Sequence, residues 1–253
     1  MPAITLTTDF GAEDWFVGTM KGVIFGINPA ATIADITHQV SRGDIHAGAF
    51  ALAAAFKFFP KGTIHVAVVD PGVGSKRKAF AVQTEDYIFV GPDNGLLSRA
   101  LNHEGIREIR ELDNERYFRK PVSRTFHGRD IFAPVAAHLS CGVKLAELGA
   151  KLDTFAKLPW PEPQRTGPGW RGEVLYIDRY GNCITNLPAE TAANASEVIV
   201  HRKRIPLRNF YQAVAGGKPV AIISSAGFVE IAVNGGSAAQ RLKLTPGTRV
   251  ELR

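Results

Sequence analysis

Residues 69–80 read VDPGVGSKRKAF: the carboxylate of Asp70 closes the apolar run IHVAVVD, and a Pro-Gly-Val-Gly turn separates it from a four-residue stretch holding three basic side chains. Such a turn can return the Arg77 guanidinium to Asp70. In a cleft shielded from solvent that ion pair is a device for polarising a small molecule held against it; elsewhere it would only tie the fold. Other polar pieces stand along the chain as TTDFGAED, GPDNG, TFHGRD, DRYGNCITN and SSAGFVEIAVNGG. Several chemistries lack their signature. PGVGSKR does not contain the GxxxxGK[ST] phosphate loop, no GxGxxG follows the first strand-like segment, and there is no GxSxG elbow. Acids at strand ends, with His127 and Asp130, could hold a metal as in phosphoesterases, although no HxD, HxH or HExxH pairing concentrates such ligands.

Strand-like and helix-like segments alternate over the first 150 residues, the pattern of a largely parallel sheet covered by helices. ITLTTD, TIADIT and TIHVAVVD read as strands. DWFVGTMKGVIFGINP spaces Phe16, Met20, Ile24 and Ile27 for a helix, with Asp14 expected as its N-cap and Pro29 as its stop, and DIHAGAFALAAAFKFFP reads as a second helix. Ligands of open α/β sheets bind beyond the carboxyl ends of the strands, which makes Asp9, Asp35 or Thr37, and Asp70 candidates by position. KAFAVQTE and DYIFVGPDNG follow as β segments, then GLLSRAL, IREIREL, and a loop entering a helix at TFHGRDIFAPVAAHLSCG, where Pro134 must lie near the helix start.

Four prolines and three glycines within PWPEPQRTGPGWRG mark a linker at 159–170. It separates an α/β domain over 1–158 from residues 171–253, where GEVLYID, CITNL, EVIVHRKRI, PVAIISSAG, FVEIAVN and RVELR predict a small all-β barrel.

The formal charge of +6 is concentrated late: residues 161–253 carry 12 basic and 7 acidic side chains, against 18 and 17 before them. The densest cluster, His201-Arg202-Lys203-Arg204, is a solvated strand or hairpin or a nucleic-acid patch, and the absence of interleaved aromatics favours the former. The longest apolar run, AGAFALAAAF, is too short for a membrane helix, and no secretory signal is read at the start, so a cytoplasmic protein is expected. Cys141 and Cys183 are expected to be buried thiols.

Taken together and in order, these polar motifs resemble the S-adenosylmethionine hydroxide adenosyltransferases, also called S-adenosylmethionine hydrolases, relatives of the fluorinases and chlorinases. The resemblance covers nearly the whole chain. It implies a Rossmann-like N-terminal domain, a C-terminal β-barrel, no cofactor or metal, and a homotrimer with substrate between one subunit's N-domain and its neighbour's C-domain. The implied reaction is attack of water on C5′ of S-adenosyl-L-methionine, releasing adenosine and L-methionine. Alternatives are a halide-dependent adenosyl transferase, a metal-dependent phosphoesterase and a nucleotide- or RNA-binding module.

The resemblance implies a catalytic set of Asp70, Arg77 and His127, in which Asp70 or His127 takes the proton of water while Arg77 stabilises developing hydroxide. The halide-using relatives lack this set, as a carboxylate beside the pocket repels halide and tolerates water. For the substrate it implies Asp9 at the ribose hydroxyls and Asp14 near the methionine ammonium. Asp178, Tyr180 and Asn182 fall around methionine and adenine, and Ser225 at the carboxylate, where Ala226 replaces an arginine common in relatives. Phe210 stacks on adenine or fills the barrel core, Asn234 and Gly235 present backbone groups to the adenine edge or form a hairpin turn, and Asp93 and Asn94 form a turn beside the site.

Overall fold

The computed structural model describes residues 2–102 and 104–253. The chain forms two compact units, Met1–Leu158 and Pro159–Arg253. The first contains, in order, β1 (Ile4–Thr8), α1 (Phe16–Ile27), β2 (Ile33–Thr37), α2 (Ile45–Ala55), β3 (Ile64–Val68), β4 (Ala79–Thr84), β5 (Ile88–Pro92), α3 (Ser98–Leu101), β6 (Ile106–Glu111) and α4 (Ala133–Ser140).

These strands make one sheet in the order β2-β1-β3-β5-β4-β6. β2, β1, β3 and β5 run parallel, while β4 pairs antiparallel with both β5 and β6. Connection length explains the change of sense. The parallel strands β1, β2 and β3 are joined through α1 and α2, whereas β4 turns into β5 through residues 84–87, where Thr84 N–H donates to the Tyr87 carbonyl. The expected largely parallel sheet is thus found, four of its six strands pairing in parallel and β4 adding antiparallel pairs with β5 and β6 at one edge.

β1 and β3 are buried at every position. Their Ile4, Leu6, Ile64 and Val66 pack with Met20 and Ile24 of α1 and with Phe132 and Val135 near and in α4. Alternate residues face the other way, so that Thr5 and His65 meet across the sheet at 2.7 Å, and His65 lies among Phe56, Tyr87 and Phe89. Burial pushes the His65 pKa down to about 3. The unfolded chain titrates this group near 6.5 and so binds more protons than the native chain below that pH. Stability is expected to fall as pH drops from about 6.5 towards 3, by up to roughly 1.4 kcal/mol per pH unit from this residue. Urea unfolding of wild type and His65→Leu at pH 7, 5.5 and 4.5 checks this, the variant being expected to show the shallower slope.

α1 begins at Phe16, after an N-cap at Trp15 that makes no side-chain capping bond. The expectation of Asp14 as cap is thus corrected, and its carboxylate is left free for other use. The expected second helix ends at Ala55 and continues as a 3-10 turn, Phe56–Phe58. Pro134 is the second residue of α4, which continues directly from a π-helical turn over Gly128–Phe132.

The second unit contains β7 (Gln164–Thr166), β8 (Gly169–Ile177), β9 (Cys183–Pro188), β10 (Glu197–Val200), β11 (Lys203–Pro206), β12 (Pro219–Ile223), β13 (Phe228–Val233), α5 (Ala238–Leu242) and β14 (Arg249–Leu252). Its antiparallel path is β11-β10-β14-β8-β9-β13-β12, and a bridge between Leu207 and Ala221 nearly closes it into a barrel around Val174, Leu187, Val198, Ile231 and Val250. The segment read as linker carries β7, paired with the start of β8. EVIVHRKRI is a hairpin whose turn residues His201 and Arg202 both adopt positive φ, 47° and 63°, with neither the Gly nor the Asn that would announce it.

Cys183 is buried, which pushes its thiol up to about 12, but Cys141 is exposed, contrary to expectation. Among the described residues no helix is long and apolar enough to cross a membrane.

Candidate active site

Asp70 follows the end of β3, where the chain leaves the sheet; the Asn94 side-chain amide pins the preceding Val69 carbonyl at 2.9 Å. Two overlapping turns then reverse the chain, Val73 N–H donating to the Asp70 carbonyl and Ser75 N–H to that of Gly72. Pro71 has the fixed φ suited to the first turn, and Gly74, at φ +76°, provides the left-handed residue of the second. The result is the expected return. Arg77 Nε donates to both Asp70 carboxylate oxygens at 3.0 Å and Nη2 donates to Oδ2 as well. Both side chains are shielded, at 10% exposure for Arg77 and 4% for Asp70.

The same Nη2 lies 2.7 Å from His127 Nδ1. A guanidinium can only donate, so Nδ1 accepts, and in the neutral ring Nε2 carries the proton. Burial, and then the positive charge of Arg77, lower the His127 pKa below the usual histidine range. Arg77 thus bridges the carboxylate and a neutral imidazole 50 residues further along, while its guanidinium carbon stands 5.5 Å from the centre of the Phe132 ring.

The His127 loop is set by Asp130, whose side chain is fully buried. One of its oxygens accepts from Arg129 Nε at 2.7 Å and Arg119 at 3.3 Å, the other from Arg129 Nη2 at 2.8 Å and Ser123 N–H at 2.9 Å. Burial alone would raise the Asp130 pKa, yet these donors hold it below the usual carboxylate range. With its lone pairs so engaged, Asp130 orders the loop and is unsuited to ligating a metal. Among the described residues no group of three or more His, Cys, Asp or Glu could hold one.

A cavity of about 400 Å³ opens at this end of the sheet, lined by Asp9, Asp14, Arg42, Asp70 and His127 among others. Phe10, Phe16 and Phe126, with ring centres 5.2–5.8 Å apart, supply an apolar wall. Asp9 already accepts from Gly43 N–H at 2.8 Å through one oxygen. Asp35 does not line the cavity: it pairs with Lys21 at 2.6 Å and His38 at 3.1 Å. Thr37 caps its own turn at Gln39 N–H. The sequence does not mark Arg42, Thr125 or the three phenylalanines as cavity lining, although Phe10, Thr125 and Phe126 stand within TTDFG and TFHGRD, since a local motif carries no sign of where separate segments will enclose a cavity.

In the second unit Tyr180, Asn182, Phe210 and Asn234 line an open cavity of about 850 Å³ together with Tyr211 and Gln212. Asp178 stands behind it, one oxygen accepting from Tyr180 and Asn182 N–H groups at 2.9 Å and the other from the Asn182 amide at 3.1 Å. Phe210 is 59% exposed, so it is no barrel-core residue. The backbone N–H and carbonyl of Asn234 are engaged by Lys218 and Gly217, and its side chain holds the Val214 carbonyl at 2.7 Å. The Asn234 N–H and amide are thus engaged at this end of the hairpin, whereas Gly235, which also lines the cavity, makes none of these bonds. Ser225 lies in the exposed turn between β12 and β13 and does not line this cavity.

Fold and site define a class: a two-unit α/β and β-barrel protein, with a charged cavity beyond the carboxyl ends of parallel strands and an aromatic cavity on the barrel. Family profiles make the assignment more specific. That of the SAM hydroxide adenosyltransferase N-terminal domain matches residues 4–149 and that of the C-terminal domain matches 172–251. The chain belongs to this family. It is 40% identical over 99% of its length, and 97% of the relative's, to an (R)-S-adenosyl-L-methionine hydrolase of Salinispora tropica. A fluorinase of Actinoplanes sp. is more distant, at 26% identity over 98% of this chain and 96% of the relative. The crystal structure of an uncharacterized conserved protein from Thermotoga maritima superposes with a TM-score of 0.93 at 39% identity, covering 98% of this chain and 99% of that one.

Proposed function

We propose that this protein is an S-adenosyl-L-methionine hydrolase, in which water attacks C5′ of the substrate and adenosine and L-methionine are released. The observation that carries the reading is the Arg77 bridge between Asp70 and the neutral His127 at the wall of an acidic cavity, in a chain of this family. A sulfonium leaves as a neutral thioether and needs no general acid, so only the nucleophile needs help. The O–C5′ bond forms as the C5′–S bond breaks, with its electron pair retained by the methionine sulfur.

Since His127 Nδ1 accepts from Arg77, its Nε2–H is a donor that orients water, and taking a proton at Nε2 would require the ring to lose that contact. Asp70 Oδ1 accepts only one bond from Arg77, leaving a lone pair for the proton of water. In this reading Asp70 is the base, His127 the orienting donor and Arg77, from behind them, the positive charge that favours developing hydroxide while holding both in place. Asp9 and Asp14 offer negative charge to the ribose hydroxyls and the ammonium. A halide nucleophile fits less well, because the Asp70 carboxylate would repel it.

The reading includes the (R) configuration at sulfur that the 40%-identical relative's name specifies. It also includes a cytoplasmic homotrimer in which the barrel of one subunit completes the cavity of another. Tyr180, at 78% exposure, together with Phe210 and Tyr211, is the apolar surface such a closure would cover. Incubation with the separated sulfur epimers in H₂¹⁸O, followed by chromatography and mass spectrometry, tests the proposal. Adenosine labelled at its 5′ oxygen and formed preferentially from the (R) epimer is expected. No adenosine at high enzyme concentration, or unlabelled adenosine, would reject it.

A further inference from the structure

The β13 sequence FVEIAV alternates so that Val229, Ile231 and Val233 enter the barrel core. Glu230 and Ala232 face outward, yet Glu230 is only 4% exposed. The loop over residues 207–214 covers that outer face: Val214 packs on Val220, Ile222 and Ala232, and Tyr211 Oη donates to Glu230 Oε1 at 2.9 Å. The amide of Asn234, at the end of the same strand, holds the loop's far end through the Val214 carbonyl. Glu230 in β13 and Asn234 just after it therefore clip a loop that presents Phe210, Tyr211 and Gln212 to the 850 Å³ cavity.

A buried carboxylate on the outer face of a strand is an expensive way to cover a barrel; an apolar residue would do so without desolvating a charge. The cost is visible in its titration, since burial, and secondarily the charge of Asp178, raise the Glu230 pKa. Burial and the bond to Glu230 push the Tyr211 phenol up to about 12, which keeps it a donor throughout the neutral range.

We infer that Glu230 is a positioning residue for purine recognition: through the Tyr211 hydroxyl it fixes the aromatic loop as the wall on which the adenine of substrate and product stacks. The inference rests on the function proposed above, which supplies the purine. Without the clip, the loop would have to be ordered at the expense of binding energy each time the ligand arrived.

A double-mutant cycle on adenosine affinity, read by isothermal titration calorimetry with thermal melts in parallel, tests it. Tyr211→Phe, which removes one oxygen and keeps the ring, and Glu230→Ala are each expected to weaken adenosine binding by roughly 5- to 10-fold, and the double variant by no more than either alone. Glu230→Gln, whose amide carbonyl still accepts from the phenol, should bind within about twofold of wild type. Wild-type affinity in both single variants, losses that multiply in the double variant, or a Gln variant as weak as the Ala variant would overturn the inference while leaving the hydrolase reading intact. A wild-type protein that binds no adenosine would overturn both.

Discussion

Replacing Arg77 with alanine is expected to lower kcat by about 10²- to 10³-fold, the order of loss when a preorganised electrostatic group is removed, because both Asp70 and His127 lose the cation that holds them. KM for S-adenosyl-L-methionine should change far less, because Arg77 stands behind Asp70 and His127 and does not line the cavity. The same substitution leaves the nearly buried Asp70 carboxylate without its cation. Breaking such a pair from one side costs about 3–5 kcal/mol, and the melting temperature should drop by roughly 10 °C. Arg77→Lys separates the two effects. A lysine ammonium restores charge to Asp70 and part of the stability, but it lacks the planar fork that meets the carboxylate and the imidazole together, so the rate should remain low. Steady-state kinetics and melts of the two variants decide the matter. A rate loss matched by an equal rise in KM would assign Arg77 to binding instead.

The second large effect is expected at Gly74. A Cβ there would overlap the backbone carbonyl oxygen of Arg124, in the loop that leads to His127, and the residue's φ of +76° already disfavours any side chain. The left-handed conformation alone costs about 1–2 kcal/mol, and the overlap forces the Asp70 turn and the His127 loop apart. Gly74→Ala is therefore expected to lose about 3 kcal/mol or more and to lower kcat by at least roughly tenfold, since displacements on the order of 1 Å carry costs of that size. Its neighbour provides the control. A Cβ on Gly72 would meet only ordinary contacts at 3.5–3.8 Å, and its backbone is not left-handed. Gly72→Ala should remain folded and keep its rate within about threefold. Indistinguishable melting temperatures for the two variants would show that the turn does not need its approach to Arg124.

Much of this was legible in the chain alone. Short strand-like runs and helically spaced apolar residues located the strands β1, β2 and β3 and the cores of α1 and α2, because the direction of side chains along a single element follows from backbone geometry. The return of Arg77 onto Asp70 was legible for a similar reason. They stand only seven positions apart, and Pro71 and two glycines leave the chain few ways to travel.

The tertiary structure decided what depends on separate segments meeting. It brought His127 to Arg77 across 50 residues and thereby selected the tautomer that makes the imidazole a donor. It set Gly74 of PGVG against the Arg124 carbonyl and left Gly72 with ordinary contacts. The same contacts engaged Asp35 with Lys21 and His38, spent Asp130 on two arginines, and buried Glu230 under a loop that local pattern could not predict would fold over it. Local sequence determines conformation and residue chemistry through interactions a few bonds long. Protonation, burial and access depend on which distant atoms share the same space, and only packing of the whole chain sets that.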